Sequence, residues 1–225
     1  MIQASQSLIQ NVQATQQRKN IIRIGTSTIN PATELNWLWN KLLADLPDYQ
    51  IIFVPLETYD LLYPNFYDYL GEDIDLVFNP SGFSTTSQKA TFIKLREEQF
   101  EIALRVNDLL AQKDKLHLTD LANHQLLTPQ QGLSETVDQV TAEIKQRQPD
   151  IKLVDTDIHY SIATFNNFIE NGQYLLTLPC WDNILPGITN RPIDLQTTID
   201  YGIMAPKQPN RPVKLFIDHL KSIIS

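Results

Sequence analysis

Thr26, Ser27 and Thr28 place three hydroxyls in a row, directly after the β-branched run Ile21–Ile24 and the breaking residue Gly25. Asn30 and Pro31 then open a helix, as an N-cap residue and a first helical residue that can lack its N–H. Hydroxyls at the carboxyl end of a strand, beside the unpaired N–H groups of a helix start, suit a small polar or anionic ligand. The same chemistry recurs at Thr58, at Asn79 to Ser81, and at Thr128-Pro129-Gln130, each just past a predicted strand. Glu57 carries the one fixed charge of the first three loops. A lone threonine in any of these places is more often a turn or cap residue, so the clustering carries the reading.

Other chemistries lack their residues. The seven glycines are too far apart for a dinucleotide fingerprint or a phosphate-binding loop, and no G-x-S-x-G elbow occurs. His117, His124, His159 and His219 share no metal-ligand spacing, so neither metal nor cofactor is expected. His159 alone falls in a predicted cleft loop, where it reads as a polar wall rather than a base. Glu97-Glu98 beside Arg96 reads as a solvated turn, and Cys180 as a buried, inert thiol. No feature calls for an enzyme.

The elements that would hold these loops alternate. Leu35, Leu38, Trp39, Leu42, Leu43 and Leu46 form one helical face ended by Pro47, and Tyr49–Val54 and Ile74–Phe78 are the next strands. A βαβαβ order predicts parallel strands with their exit loops on one edge. Thr91–Leu95 and Phe100–Val106 read as extended segments around 96–99, and Leu118–Leu121 as a helical turn capped by Thr119. A second set follows: strand Gln125–Thr128, a helix from Leu133 to Pro149, strand Ile151–Val154, a helix ended by Gly172, and strand Tyr174–Leu178. After a proline-rich segment come strand Thr197–Met204 and a closing helix after Pro212. The reading is an α/β chain of two Rossmann-like lobes joined by two crossing strands, with a ligand cleft between them. Lobe I takes 20–103 and 199–225, lobe II takes 104–198, and residues 1–19 form a linker-helix remnant or a flexible leader.

Composition narrows the setting. The 225 residues carry a formal net charge of −8, which excludes an overall basic field for nucleic acid or anionic membranes. A single cysteine cannot form an internal disulfide, residues 1–19 lack the pattern of a secretory signal, and no run spans a bilayer. The expected setting is cytoplasmic, with no membrane contact.

From Ile21 onward the chain resembles the effector-binding domain of LysR-type transcriptional regulators, which has a periplasmic-binding-protein type 2-like fold. The motifs, in order, are IIRIGTST at Ile21–Thr28, IDLVF at Ile74–Phe78, LHLTDLANHQLL at Leu116–Leu127, FIENGQYLLTLP at Phe168–Pro179 and PVKLFIDHL at Pro212–Leu220. Tyr174 replaces a glycine of the family's pattern, which puts the local turn and the cleft floor in doubt. Nothing here resembles the family's amino-terminal winged helix-turn-helix, so DNA is reached only through a domain missing from this sequence.

The resemblance implies a sensing and dimerisation domain for a small effector, often a carboxylate. By position, Thr26, Ser27, Thr28 and Thr58 contact it from one lobe, and Thr128, Pro129, Gln130 and the His159–Ser161 loop from the other. It also implies an antiparallel homodimer using the first helix, through Asn36, Trp37 and Lys41, its adjacent strand and a helix of the other lobe. Trp37 lies off the apolar stripe, as a partner surface requires. Rival readings are a stand-alone solute-binding protein, a small-acid lyase or dehydratase, and a dimeric scaffold whose cleft is filled by Tyr174 and the aromatics of Tyr59–Tyr69.

Overall fold

The computed structural model describes residues 20–31, 38, 42, 44–56, 66–81, 88–132, 134–156, 160–182 and 184–224. Ten strands form two five-stranded sheets. The first has the order β2-β1-β3-β10-β4, built from β1 (Asn20–Thr26), β2 (Tyr49–Pro55), β3 (Leu76–Pro80), β4 (Ala90–Gln99) and β10 (Thr198–Pro206). The second has the order β7-β6-β8-β5-β9, from β5 (Glu101–Arg105), β6 (Gln125–Thr128), β7 (Lys152–Asp155), β8 (Tyr174–Thr177) and β9 (Ile188–Pro192).

The two sheets repeat one plan. In each, three strands run parallel, and an antiparallel strand sits next to them, supplied by the chain as it crosses from the other sheet. β1 pairs parallel with β2 and β3, while β10 lies antiparallel between β3 and β4. β6 pairs parallel with β7 and β8, while β5 lies antiparallel between β8 and β9. The crossings fall at Phe100 and at 193–197. Among the described residues, the carboxyl ends of β1, β6 and β8 come together at an interlobe seam, as open α/β sheets place their ligands.

Local sequence explains most elements. Helix α1 (Glu135–Arg147) is capped by the Ser134 hydroxyl accepting from Val137 N–H, and buries Val137, Val140 and Ile144. Helix α2 (Ile162–Asn171) starts in a capping box between Ser161 and Thr164 and ends at Gly172 with φ +63°, as its C-terminal glycine predicts. Helix α3 (Arg211–Ile224) closes the chain. The first predicted helix is described at Leu38, Leu42, Ala44 and Asp45, and both leucines are fully buried.

Several expectations change. Arg96 to Gln99 do not interrupt a strand, because β4 runs unbroken for ten residues. Glu97 and Glu98 are thus ladder residues opposite Asp200 and Ile199 rather than a turn. Its four charged residues hide this strand in the sequence: Lys94 and Glu97 are exposed, Arg96 and Glu98 are partly buried, and β10 supplies the ladder. Asn79 lies inside β3, opposite Gly202. Gly202 sits at a register shift where a Cβ would meet the Ile93 carbonyl oxygen at 2.1 Å, so the two backbones approach too closely for any side chain. The 118–121 turn is capped by His117, not Thr119. The stretch expected as a proline-rich connection contains strand β9. As an edge strand it tolerates Pro192 at its end.

The buried apolar residues of both lobes form one contiguous cluster, with a smaller one around Leu56, Leu70 and Val77. Asp75 is buried and saturated by Arg23: it accepts from the Arg23 backbone N–H at 2.8 Å, from Nε at 3.0 Å and from Nη2 at 2.8 Å. That pair explains the acidic residue of the IDLVF motif as a tie between β1 and the start of β3. The second crossing is pinned to lobe II. Glu143 of α1 accepts from the N–H groups of Gln196 and Thr197 and from the Thr197 hydroxyl, and Asp194 accepts from Leu118 N–H and Arg147 Nη2.

Candidate functional site

β1, β6 and β8 end at the seam between the lobes, and its two rims are built differently. On the lobe I rim, the turn Ser27–Asn30 is closed on itself. Asn30 N–H donates to the Ser27 hydroxyl at 3.1 Å, that hydroxyl donates to Asn30 Oδ1 at 3.0 Å, and the Thr26 hydroxyl donates to the Asn30 carbonyl at 3.0 Å. Asn30 Nδ2 continues to the Phe78 carbonyl at 2.8 Å and to Asn79 Oδ1 at 3.3 Å, and Asn79 Nδ2 donates to the Tyr67 hydroxyl at 3.0 Å. The sequence-predicted Thr26, Ser27 and Asn79 are thus brought together, but their polar atoms hold the loop. Thr28 is exposed at its tip.

On the lobe II rim, Thr128 ends β6 fully buried, and its hydroxyl has no hydrogen-bond partner among the described residues. Thr177 ends β8 in the same condition, 1% exposed and unpaired. An unpaired buried hydroxyl costs about 1–3 kcal/mol, so each marks a place where folding alone does not fix the chemistry. Pro129 is buried beside Thr128, Gln130 is exposed, and Ser161 is half-buried and occupied as the cap of α2. Thr58, His159, Asn36, Trp37 and Lys41 lie outside the described residues.

Between the rims stands an aromatic group that residue-type reasoning did not select. Trp181, on the turn Pro179–Trp181 after β8, donates its indole N–H across the seam to the Ile29 carbonyl at 2.7 Å. Its ring packs on Tyr160, with centroids 5.3 Å apart, and on Phe165 at 6.4 Å. Tyr160 donates its hydroxyl to the Leu176 carbonyl at 2.7 Å, and burial holds that phenol well above its ordinary pKa, so it stays neutral. Phe100, at the first crossing, and Ile199, at the start of β10, complete a pocket with Pro129 and Thr177 that leaves about 10 Å³ free. That is roughly the room of one water.

The signal for this group was available in the rule already applied to β1 and β6. The exit of β8 is Thr177-Leu178-Pro179-Cys180-Trp181, and it too lies at a parallel strand's carboxyl end. Tyr174, expected near the cleft floor, is instead at the amino end of β8. There its hydroxyl donates to Asp108 at 3.3 Å and its ring meets His124 edge-on, away from the seam. A second, open groove of about 550 Å³ runs between β7 and α2, lined by Asp155, Thr156, Thr164, Asn167, Asn171 and Gln173. Among the described residues no group of histidine, cysteine and carboxylate side chains could hold a metal ion.

Neither a protein-family model nor a curated protein sequence matches the chain. Solved structures do. CbnR, a LysR family transcriptional regulator, is similar over 96% of this chain and 74% of its own, with a TM-score of 0.67 at 11% identity. The effector-binding domain of QuiR in complex with shikimate is similar over 91% of this chain and 96% of its own, with a TM-score of 0.61 at 16% identity. The effector-binding domain of BenM with its effector benzoate covers 90% of this chain and 91% of its own, with a TM-score of 0.56 at 16% identity. At these identities the likeness establishes the fold.

Proposed function

The chain has the type 2 periplasmic-binding-protein-like fold of LysR effector-binding domains, and we propose that it works as one. In this reading it binds a small organic molecule in the interlobe seam, has no catalytic role, and acts in the cytoplasm by altering DNA binding through a domain outside these 225 residues. The observation that carries it is the meeting of the carboxyl ends of β1, β6 and β8 at one seam, where a ligand touches both lobes at once and so changes their relative position. No helix among the described residues is long and apolar enough to cross a membrane.

Effector contacts in this proposal come from Thr26, Ser27, Thr28, Thr58 and Asn79 on one rim and from Thr128, Pro129, Gln130, His159 and Ser161 on the other. Thr128 is supported most directly, through its unpaired hydroxyl. The signal leaves through a homodimer. The edge strand β2 supports that part, because Ile52 and Phe53 are 39% and 48% exposed on it. In the dimer this strand and the first helix, with Asn36, Trp37 and Lys41, meet a helix of the partner's other lobe.

The experiment is a broad metabolite panel read as a shift in Tm. A ligand at 100 times its Kd stabilises the fold by about 2.7 kcal/mol, well above the detection limit of thermal melting. A true effector raises Tm in the parent and loses much of that shift in Thr28→Ala, Thr58→Ala or Thr128→Val. A panel with no shift, or shifts indifferent to all three, overturns the site assignment. Sedimentation of Phe53→Glu tests the dimer: the parent sediments as a dimer and the variant as a monomer.

A further inference from the structure

The pocket at the crossing of the lobes is walled almost wholly by carbon. Phe100, Pro129, Tyr160, Trp181 and Ile199 form it with Thr177, and none of these side chains carries a charge. The Tyr160 hydroxyl is already donated to Leu176. That leaves the Thr177 hydroxyl as a buried polar atom in the lining with no partner. Free space of about 10 Å³ means that anything larger than a water enters only when a wall moves. Phe100 lies at the first crossing, Ile199 is held in β10, Thr177 is held in β8, and Tyr160 is tied by its own hydrogen bond. Trp181 stands on a three-residue turn and reaches lobe I through the hydrogen bond from its indole N–H to the Ile29 carbonyl.

Resting on the effector-domain reading above, we propose that Trp181 gates this pocket and that the effector it admits is an uncharged, ring-sized molecule with one polar group meeting Thr177. A carboxylate here would have no counter-charge among the described lining residues, and burying an uncompensated ion is far costlier than burying a neutral ring. A flat neutral ring instead stacks on Tyr160 and Phe100 and gives the Thr177 hydroxyl the partner it lacks. When the indole swings aside, its N–H leaves the Ile29 carbonyl. Filling the pocket and releasing this tie between the lobes are then one event, which makes the gate the link between binding and lobe movement.

The test is calorimetric titration of the intact protein with two matched pairs of probes: indole against indole-3-carboxylate, and benzyl alcohol against benzoate. The neutral member of each pair binds at least ~10-fold more tightly than its carboxylate, because only the ion lacks a partner. Thr177→Val weakens benzyl alcohol by roughly fivefold, the loss of one hydrogen bond. Trp181→Ala binds both neutral probes more tightly than the parent. Should that variant not fold, Trp181→Phe keeps a ring but lacks the N–H tie, and is likewise expected to bind them more tightly. Carboxylates binding as well as or better than the neutral probes would overturn the ligand class and leave the seam standing as the effector site. Unchanged affinity in Trp181→Phe would overturn the gate. Silence toward all four probes in parent and variants, beside a metabolite hit lost in Thr128→Val, would overturn this proposal alone, and silence in both experiments would overturn the effector reading with it.

Discussion

On one side of the seam, Thr26 and Ser27 direct their hydroxyls into Asn30, and Asn30 ties the loop to Phe78 and Asn79. On the other side, Thr128 and Thr177 bury theirs with nothing to bond. The residue types are the same, and both pairs end parallel strands. What differs is whether the protein itself has satisfied them. A hydroxyl closed within its own turn shapes a site, whereas an unpaired buried one remains available to a molecule from outside. The lobe I rim therefore meets the effector as a preformed loop, and the lobe II rim meets it with two unpaired hydroxyls.

The largest effect should come from the residue that joins the rims. Trp181→Ala removes a buried ring and the bond to Ile29, and chemical denaturation should show a loss of about 3–5 kcal/mol. Asn30→Ala removes the side-chain amide that links the Ser27 hydroxyl to the Phe78 carbonyl and Asn79, at a cost of about 2 kcal/mol in the same assay. If that cost proved negligible, the distinction between the rims would fail.

On lobe II the sign reverses. Thr177→Val replaces an unpaired hydroxyl by a methyl of similar shape and should stabilise the protein by about 1 kcal/mol in the absence of ligand. A loss of stability would show that the hydroxyl already has a partner. Thr28→Ala, at an exposed tip, should move stability by less than about 0.5 kcal/mol.

Acid probes how the second crossing is anchored. Burial pushes Glu143 up, but the N–H and hydroxyl groups of Gln196 and Thr197, with Arg147, outweigh it and hold the carboxyl below its usual range. Burial likewise pushes Asp194 up, but His117, Leu118 N–H and Arg147 together outweigh it and hold the carboxyl below its usual range. Both carboxylates are thus more acidic folded than unfolded. Their contribution is complete above the ordinary carboxylate range and is lost as the pH falls through the depressed folded values. Glu143→Gln should be less stable at neutral pH and show a shallower loss on acidification, followed by denaturant melts from pH 7 to 3.

Much of the architecture was legible because strand and helix periods survive in a single sequence. The run Ile21–Ile24, the caps Ser134 and Ser161 and the stop at Gly172 each announce an element by local physics. β4 was misread because its ladder is completed by β10, 100 residues later, and nothing near Arg96–Gln99 records that pairing. β9 was hidden by its proline, which an edge strand tolerates. At the site, exit loops could be located from strand ends, but hydrogen-bond partners could not. Ser27 and Thr128 look alike in sequence and differ only in what the fold brings within 3 Å of them. Trp181 was missed because it touches Ile29, a residue of the other lobe.

The most direct test of the account follows the indole N–H of Trp181 in a ¹H–¹⁵N spectrum, with its resonance identified by its loss in Trp181→Phe. A compound that raises Tm is titrated in. The account predicts that this resonance moves away from its hydrogen-bonded position in a saturable way, with the same midpoint as binding. A compound that binds tightly while leaving the Trp181 resonance unmoved at saturation would contradict it, because the seam between the lobes would then not be where the effector acts.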